Sequence, residues 1–164
     1  MITELKPNEV FVFGSNSTGF HGAGSAGLAC RGESKNTWRT DKWFLTAMNS
    51  PSGSDARVGK WAVYGHAKGL QVGKEGMSYA IKTIERPGKK RSTSLQEIKT
   101  QLLELARFAQ SRPELTFIMT PIGAGLAGWT EAEMLGIWNE VVYTMPSNVV
   151  YPENLYNNVN PLNT

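Results

Sequence analysis

Leu95, Ile98, Leu102, Leu105 and Ala109 recur at three- and four-residue steps, the signature of one apolar helix face over residues 93–110. Ser92 or Thr93 stands ready to cap that helix, and Pro113 lies just beyond its end. A second helix is expected over residues 130–143, because Thr130 and Glu133 have the spacing of a capping box. Elsewhere the apolar positions run together. "VFVF" at 10–13 and "LTFIMTPI" at 115–122 read as strands buried on both faces, with "MSYAIKTI" at 77–84 and "NVVY" at 148–151 as further strands. "WAVY" at 61–64 reads as another short strand. A short helix should begin near Gly24 and run through Leu28 and Ala29, while residues 31–60 are polar and without period.

Strands and helices therefore alternate, and the alternation predicts an α/β sandwich on a mixed, largely parallel sheet. The length suits a single domain over residues 1–164, with an irregular insertion at about 31–60 and a loose tail at about 157–164. No apolar run approaches the roughly 18 residues of a membrane span. The first residues lack the basic and apolar parts of a signal peptide, and the lone Cys30 suits a reducing compartment. A cytoplasmic protein without a membrane partner is the expectation. Two histidines and one cysteine, widely spaced, give no metal site, and no cofactor is implied.

Charge changes this picture. Residues 1–91 hold 14 Lys and Arg against 7 Asp and Glu, whereas residues 92–164 hold 3 against 7. The basic part suggests an anionic partner, a phosphorylated small molecule or a nucleic acid.

Two glycine-rich stretches point the same way. "GAGSAG" at 22–27 fits the dinucleotide fingerprint G-x-G-x-x-G, but the strand before it ends near Phe13, eight residues too early. No acidic residue follows a second strand at the required distance, so this is not a Rossmann loop. "TPIGAGLAGWTEAE" repeats the physical design of strand, glycine turn and capped helix. Neither residues 14–29 nor 121–129 contain an Asp or Glu. Such loops turn backbone N–H groups toward an anion, with a helix N-terminus behind them.

These residues resemble the macrodomain superfamily, three-layer α/β/α proteins that bind ADP-ribose. The blocks that carry the resemblance are "VFVFGSN" with "HGAGSA", then "SYAIKTI", then "FIMTPIGAGLAGWTEAE", in that order. The first loop is closest to the branch that removes ADP-ribose from DNA or acidic side chains. The resemblance implies that Asn16 sits beside the distal ribose and that Gly14, Ser15, Gly22, Ala23 and Gly24 line the nucleotide. It implies that Gly123, Ala124, Gly125, Leu126 and Ala127 wrap the diphosphate, with Trp129 as a stacking or lid residue. No Asp precedes Asp41, so the adenine-recognising residue of the family has no counterpart, and Ala23 stands where some hydrolytic relatives carry lysine.

For chemistry, His21 is the candidate acid or base and Asn16 the candidate that positions a water or the ribose hydroxyls. ADP-ribosyl hydrolysis by water attack at the anomeric carbon, and binding without turnover, are both open at this point. The partners implied are ADP-ribose or a related nucleotide, free or attached to protein or nucleic acid. A different class is also open: Trp38, Trp43 and Trp61 among Arg39, Lys42 and Lys60 make an aromatic–basic mixture suited to single-stranded nucleic acid. His66 reads as a loop histidine, Cys30 as a buried structural one, and "KKRS" at 89–92 as a basic loop.

Overall fold

The first apolar β-forming run becomes the middle of the molecule. In the computed structural model, which describes residues 2–86, 88–120 and 128–151, Glu9–Asn16 forms β1 at the centre of a five-stranded sheet. It is followed by α1 (Gly24–Arg31), α2 (Lys42–Met48), β2 (Gly69–Val72), β3 (Met77–Ile84), α3 (Leu95–Ser111), β4 (Thr116–Met119), α4 (Glu131–Val141) and β5 (Val149–Val150). The strand order is β2-β3-β1-β4-β5. All neighbours are parallel except β2, which pairs antiparallel with β3 at one edge. The fold is a three-layer α/β/α sandwich on a mixed, mostly parallel sheet.

Alternation along β1 builds both faces. Val10 and Val12 point to one side with Tyr79, Ile81, Phe117 and Met119, where α3 and α4 cover them. Phe11 and Phe13 point to the other with Ala80, covered by α1 and by the turn that holds Trp61 and Ala62. The predicted face of α3 is the face that is buried: Ile98, Leu102, Leu105 and Ala109 are at most 1% exposed. Burying a leucine fully contributes roughly 1.5–3 kcal/mol, and beside this face Gln101 ties the helix to the sheet by accepting from Lys82 N and donating to the Lys82 carbonyl, both at 2.7 Å.

Several boundaries differ from the sequence expectation, each for a hydrogen-bonding reason. The N-cap of α3 is Ser94, whose hydroxyl accepts from Glu97 N, while Ser92 accepts from Glu85 N instead. Residues 61–64 are not a strand. The N–H groups of Trp61 and Ala62 both donate to the Ala29 carbonyl at the end of α1, at 2.7 and 3.1 Å, so pairing is limited to a single antiparallel bridge between Val58 and Val63. The stretch 31–60 is not wholly irregular either. Asp41 caps α2 by accepting from Phe44 N at 2.7 Å, and single 3-10 turns lie at Trp38–Thr40 and Asp55–Arg57. The edge strand β2 went unread because "GLQV" is short and opens on glycine. The tail at 157–164 lies outside the described residues.

The capping box of α4 forms as the spacing requires. Thr130 Oγ1 accepts from Glu133 N and Glu133 Oε1 accepts from Thr130 N, at 3.1 and 3.0 Å. Thr130→Ala should lower stability by about 1 kcal/mol, read from the urea midpoint; a change within experimental error would mean that water caps this end equally well.

Candidate functional site

Sheet order decides where a ligand can enter. β1 and β4 are adjacent and parallel, yet the chain leaves them toward opposite faces. From β1 it passes to α1 on the Phe11–Phe13 face, and from β4 to α4 on the Val10–Val12 face. In open α/β sheets such a divergence marks the carboxyl ends of the two strands as the place where ligands bind. Thr120 ties the end of β4 to β1, its N–H and hydroxyl both donating to the Val12 carbonyl at 3.2 and 2.6 Å.

The first glycine loop starts at Asn16, the last residue of β1. Its Oδ1 accepts from Thr18 N, Thr18 Oγ1 and Phe20 N, at 3.1, 2.7 and 3.1 Å. The carboxamide thereby holds the loop turned, and its Nδ2 donates to nothing among the described residues. Ser15 is buried and its hydroxyl donates to the Ala67 carbonyl. Gly14 remains in the ladder opposite Ile81.

Farther along, the loop is packed from two sides. Gly19 has φ +67°, and a Cβ placed there would lie 2.4 Å from the Gly65 carbonyl carbon. Gly65 N donates back to the Gly19 carbonyl at 2.9 Å. On the other side, a Cβ on Gly22 would meet the rings of Phe20 and Trp38. Arg31 donates to the Gly22 carbonyl and to Thr37 Oγ1, and pairs with Asp41 at 3.6 Å. The α2 region is thus strapped onto the loop by a nearly buried guanidinium.

Ala23 is the N-cap of α1 and offers no side-chain cap. The first helical N–H, that of Gly24, donates to the Ser34 carbonyl at 2.8 Å. No acidic residue lies in the first turn, and Ala23, Gly24 and Ser25 are half-buried at the surface. Around Gly24, at φ +64°, a Cβ would meet nothing within 4 Å.

His21 lies elsewhere. It is 0% exposed, sits at φ +53°, and meets the Phe13 ring edge-on at 5.2 Å. Burial pushes its pKa down to about 4; the backbones of His66 and Val63 and the Gln71 side chain, close by, oppose that shift. Neither ring nitrogen has a partner in hydrogen-bonding geometry. Gln71 itself is spent, accepting from Val63 N and donating to the His66 carbonyl, both at 2.7 Å. At neutral pH His21 is therefore an uncharged ring sealed under residues 63–67. His66 is exposed.

Cys30 is also buried, and desolvation lifts its thiol to about 12, which keeps it an unreactive thiol. Trp129 donates its Nε1–H to the Thr93 carbonyl at 3.0 Å and carries the Arg91 guanidinium over its ring at 4.9 Å. Gly123, Ala124, Gly125, Leu126 and Ala127 lie outside the described residues.

The topology also brings up residues that no motif had marked. The loop after β3 reaches the same edge: Ser17 N donates to the Glu85 carbonyl at 3.1 Å. Lys82 Nζ bridges Glu85 and Glu97 at 2.8 and 3.1 Å, and the Lys82 ammonium holds the exposed Glu85 carboxyl below its ordinary range. A strand residue followed by its own turn, "KTIE", carries no periodic signal of that pairing.

Among the described residues no group of three or more His, Cys, Asp or Glu could hold a metal ion, and no helix is long and apolar enough to cross a membrane. No family model matches the chain, and a search of curated proteins finds no match.

Proposed function

We propose that this protein binds ADP-ribose or a nucleotide derived from it, at the carboxyl ends of β1 and β4. The observation that carries the reading is the divergence of those two strands, with a carboxylate-free glycine loop opening α1 beside them. An anion there meets backbone N–H groups and the positive end of a helix, with no carboxylate in the loop to repel it. The macrodomain-like order of the sequence blocks supplies the nucleotide's identity. Asn16, its Oδ1 already committed to the turn, has its Nδ2 to offer a ribose hydroxyl.

Holding the nucleotide is the better-supported activity, ahead of cleaving it. Water attack at the anomeric carbon calls for a group that moves a proton, and the candidate, His21, is buried and neutral at pH 7. Free nucleotide and ADP-ribosylated macromolecule are both ligands of this chemistry.

Ser25→Glu tests the site without loosening the fold. A carboxylate in the first turn of α1 favours the helix by about 0.3–1 kcal/mol yet repels a phosphate. Calorimetry should show ADP-ribose binding to the native chain and an affinity lower by at least about tenfold in the variant, about 1.4 kcal/mol. Thermal stability should be equal or higher. Absence of ADP-ribose binding to the native chain would end the reading.

A further inference from the structure

The charge asymmetry of the sequence becomes a spatial arrangement at the carboxyl edge of the sheet. The loop after β3 carries Arg86, Lys89 and Lys90, all exposed, and none has an ion-pair partner among the described residues. The nearby acids are occupied: Glu85 by Lys82, and Glu133 by Arg91. The loop is also held in shape. Ser92 accepts from Glu85 N and donates to the Lys89 carbonyl, and Arg91, at φ +56°, donates to the Gly128 carbonyl at 3.0 Å. The Lys90 stem packs against Gly128, where a Cβ would come within 2.6 Å of it.

On the other side of the glycine loop stand Lys35 and Arg39, exposed and likewise without an ion pair among the described residues. Their segment is fixed to that loop by the Gly24–Ser34 hydrogen bond and by Arg31. The Arg39 guanidinium lies 4.5 Å over the Trp38 ring, and Phe20 meets that ring edge-on at 4.9 Å. A guanidinium backed by an aromatic ring presents its outer face as a platform for an unpaired base. Trp61, by contrast, is 0% exposed inside the α1 layer and offers a nucleic acid nothing.

We propose that this edge is a track for single-stranded nucleic acid, with Arg86, Lys89 and Lys90 on backbone phosphates and Arg39, supported by Trp38, stacking a base. The inference does not depend on the ADP-ribose reading. Preset cations flanking one loop suit a strand of several phosphates, and the stacking surface favours an unpaired strand over a duplex.

Fluorescence anisotropy of a labelled oligothymidylate tests it, with a duplex of equal length and polyglutamate as comparators. The native chain should bind the single strand, with log K falling linearly against log salt. The combined variant Arg86→Glu, Lys89→Glu, Lys90→Glu should bind at least about tenfold more weakly with a flatter salt slope. Arg39→Ala, on a different segment, should weaken binding by about tenfold. No binding at low salt, affinity unchanged in both variants, or equal binding of duplex or polyglutamate would each overturn the proposal. An ADP-ribose titration on the same proteins separates the two readings. Oligonucleotide binding without ADP-ribose binding keeps this one and ends the other, and the converse does the opposite.

Discussion

Gly19→Ala should cost this fold about 2–5 kcal/mol and lower its thermal midpoint by about 10 °C. Two separate penalties combine. At φ +67° a residue with a Cβ is strained by roughly 1–2 kcal/mol, and here the Cβ also has nowhere to go. It would lie 2.4 Å from the Gly65 carbonyl carbon and 2.5 Å from His66 N, both backbone atoms that no rotamer change can remove. The turn at 63–67 would have to lift, and it is held by Gln71, by Ser15 and by the Gly65–Gly19 hydrogen bond. Gly53→Ala is the matched control: φ is +85° but a Cβ meets nothing within 4 Å, so only the strain of about 1 kcal/mol applies. Calorimetric melting of both variants decides the matter. Equal losses would mean that residues 63–67 do not rest on the glycine loop in solution.

That contact bears on the candidate site as much as on stability. The loop after β1 is rigid because each of its parts is tied to a different element: Asn16 to its own turn, Gly19 to residues 63–67, Gly22 to Arg31, and Gly24 to Ser34. The N–H groups of Ser17, Thr18, Gly19, Phe20 and Gly24 are spent on these ties, and what the fixed loop holds in one geometry is the first turn of α1, which lowers the ordering cost of binding an anion there. The same ties explain why so much of the loop is apolar and glycine. Space near the sheet goes to backbone, to Phe13 and to His21.

The parts of this architecture legible in the sequence are those whose signal is local. The α3 face follows from a 3.6-residue period, the α4 start from Thr130 and Glu133, and β3 from eight residues bounded by glycine and a turn. What escaped depends on partners distant in the chain. Nothing within "WAVY" announces that its first two N–H groups go to Ala29, and "DKWFLTAM" is short enough that only its Asp41 cap and its packing against Phe20, Trp38 and Tyr64 make it a helix. His21 is the sharpest case. A histidine beside glycines reads as exposed and reactive, but its left-handed backbone turns the ring onto Phe13 and under residues 63–67. Of the candidate site, the sequence could mark the glycine loops; the relation of the first of them to the basic loop after β3 arises only from the strand order.

Acid should unfold this protein earlier than its carboxylates alone would dictate, and His21 is the reason. In the unfolded chain the imidazole takes a proton near pH 6.5, whereas in the fold it resists until about 4. Between those values the unfolded state binds the extra proton, so stability falls as pH is lowered through the window and is fully present above it. A shift of that size corresponds to about 3 kcal/mol. The carboxylates with lowered pKa, Glu85, Glu114 and Glu133, also lose stability in acid, but only below about pH 5.5, where unfolded glutamates with an ordinary value of 4.5 begin to protonate. The interval from about pH 6.5 to 5.5 therefore isolates His21 from them. Urea midpoints across that interval should fall in the native chain. In His21→Asn, where the new residue tolerates the left-handed backbone and cannot titrate, they should stay nearly flat whatever the variant's overall stability. Parallel slopes in the two proteins would show that the ring reaches water in the folded state and is not the buried neutral group that seals the base of the glycine loop.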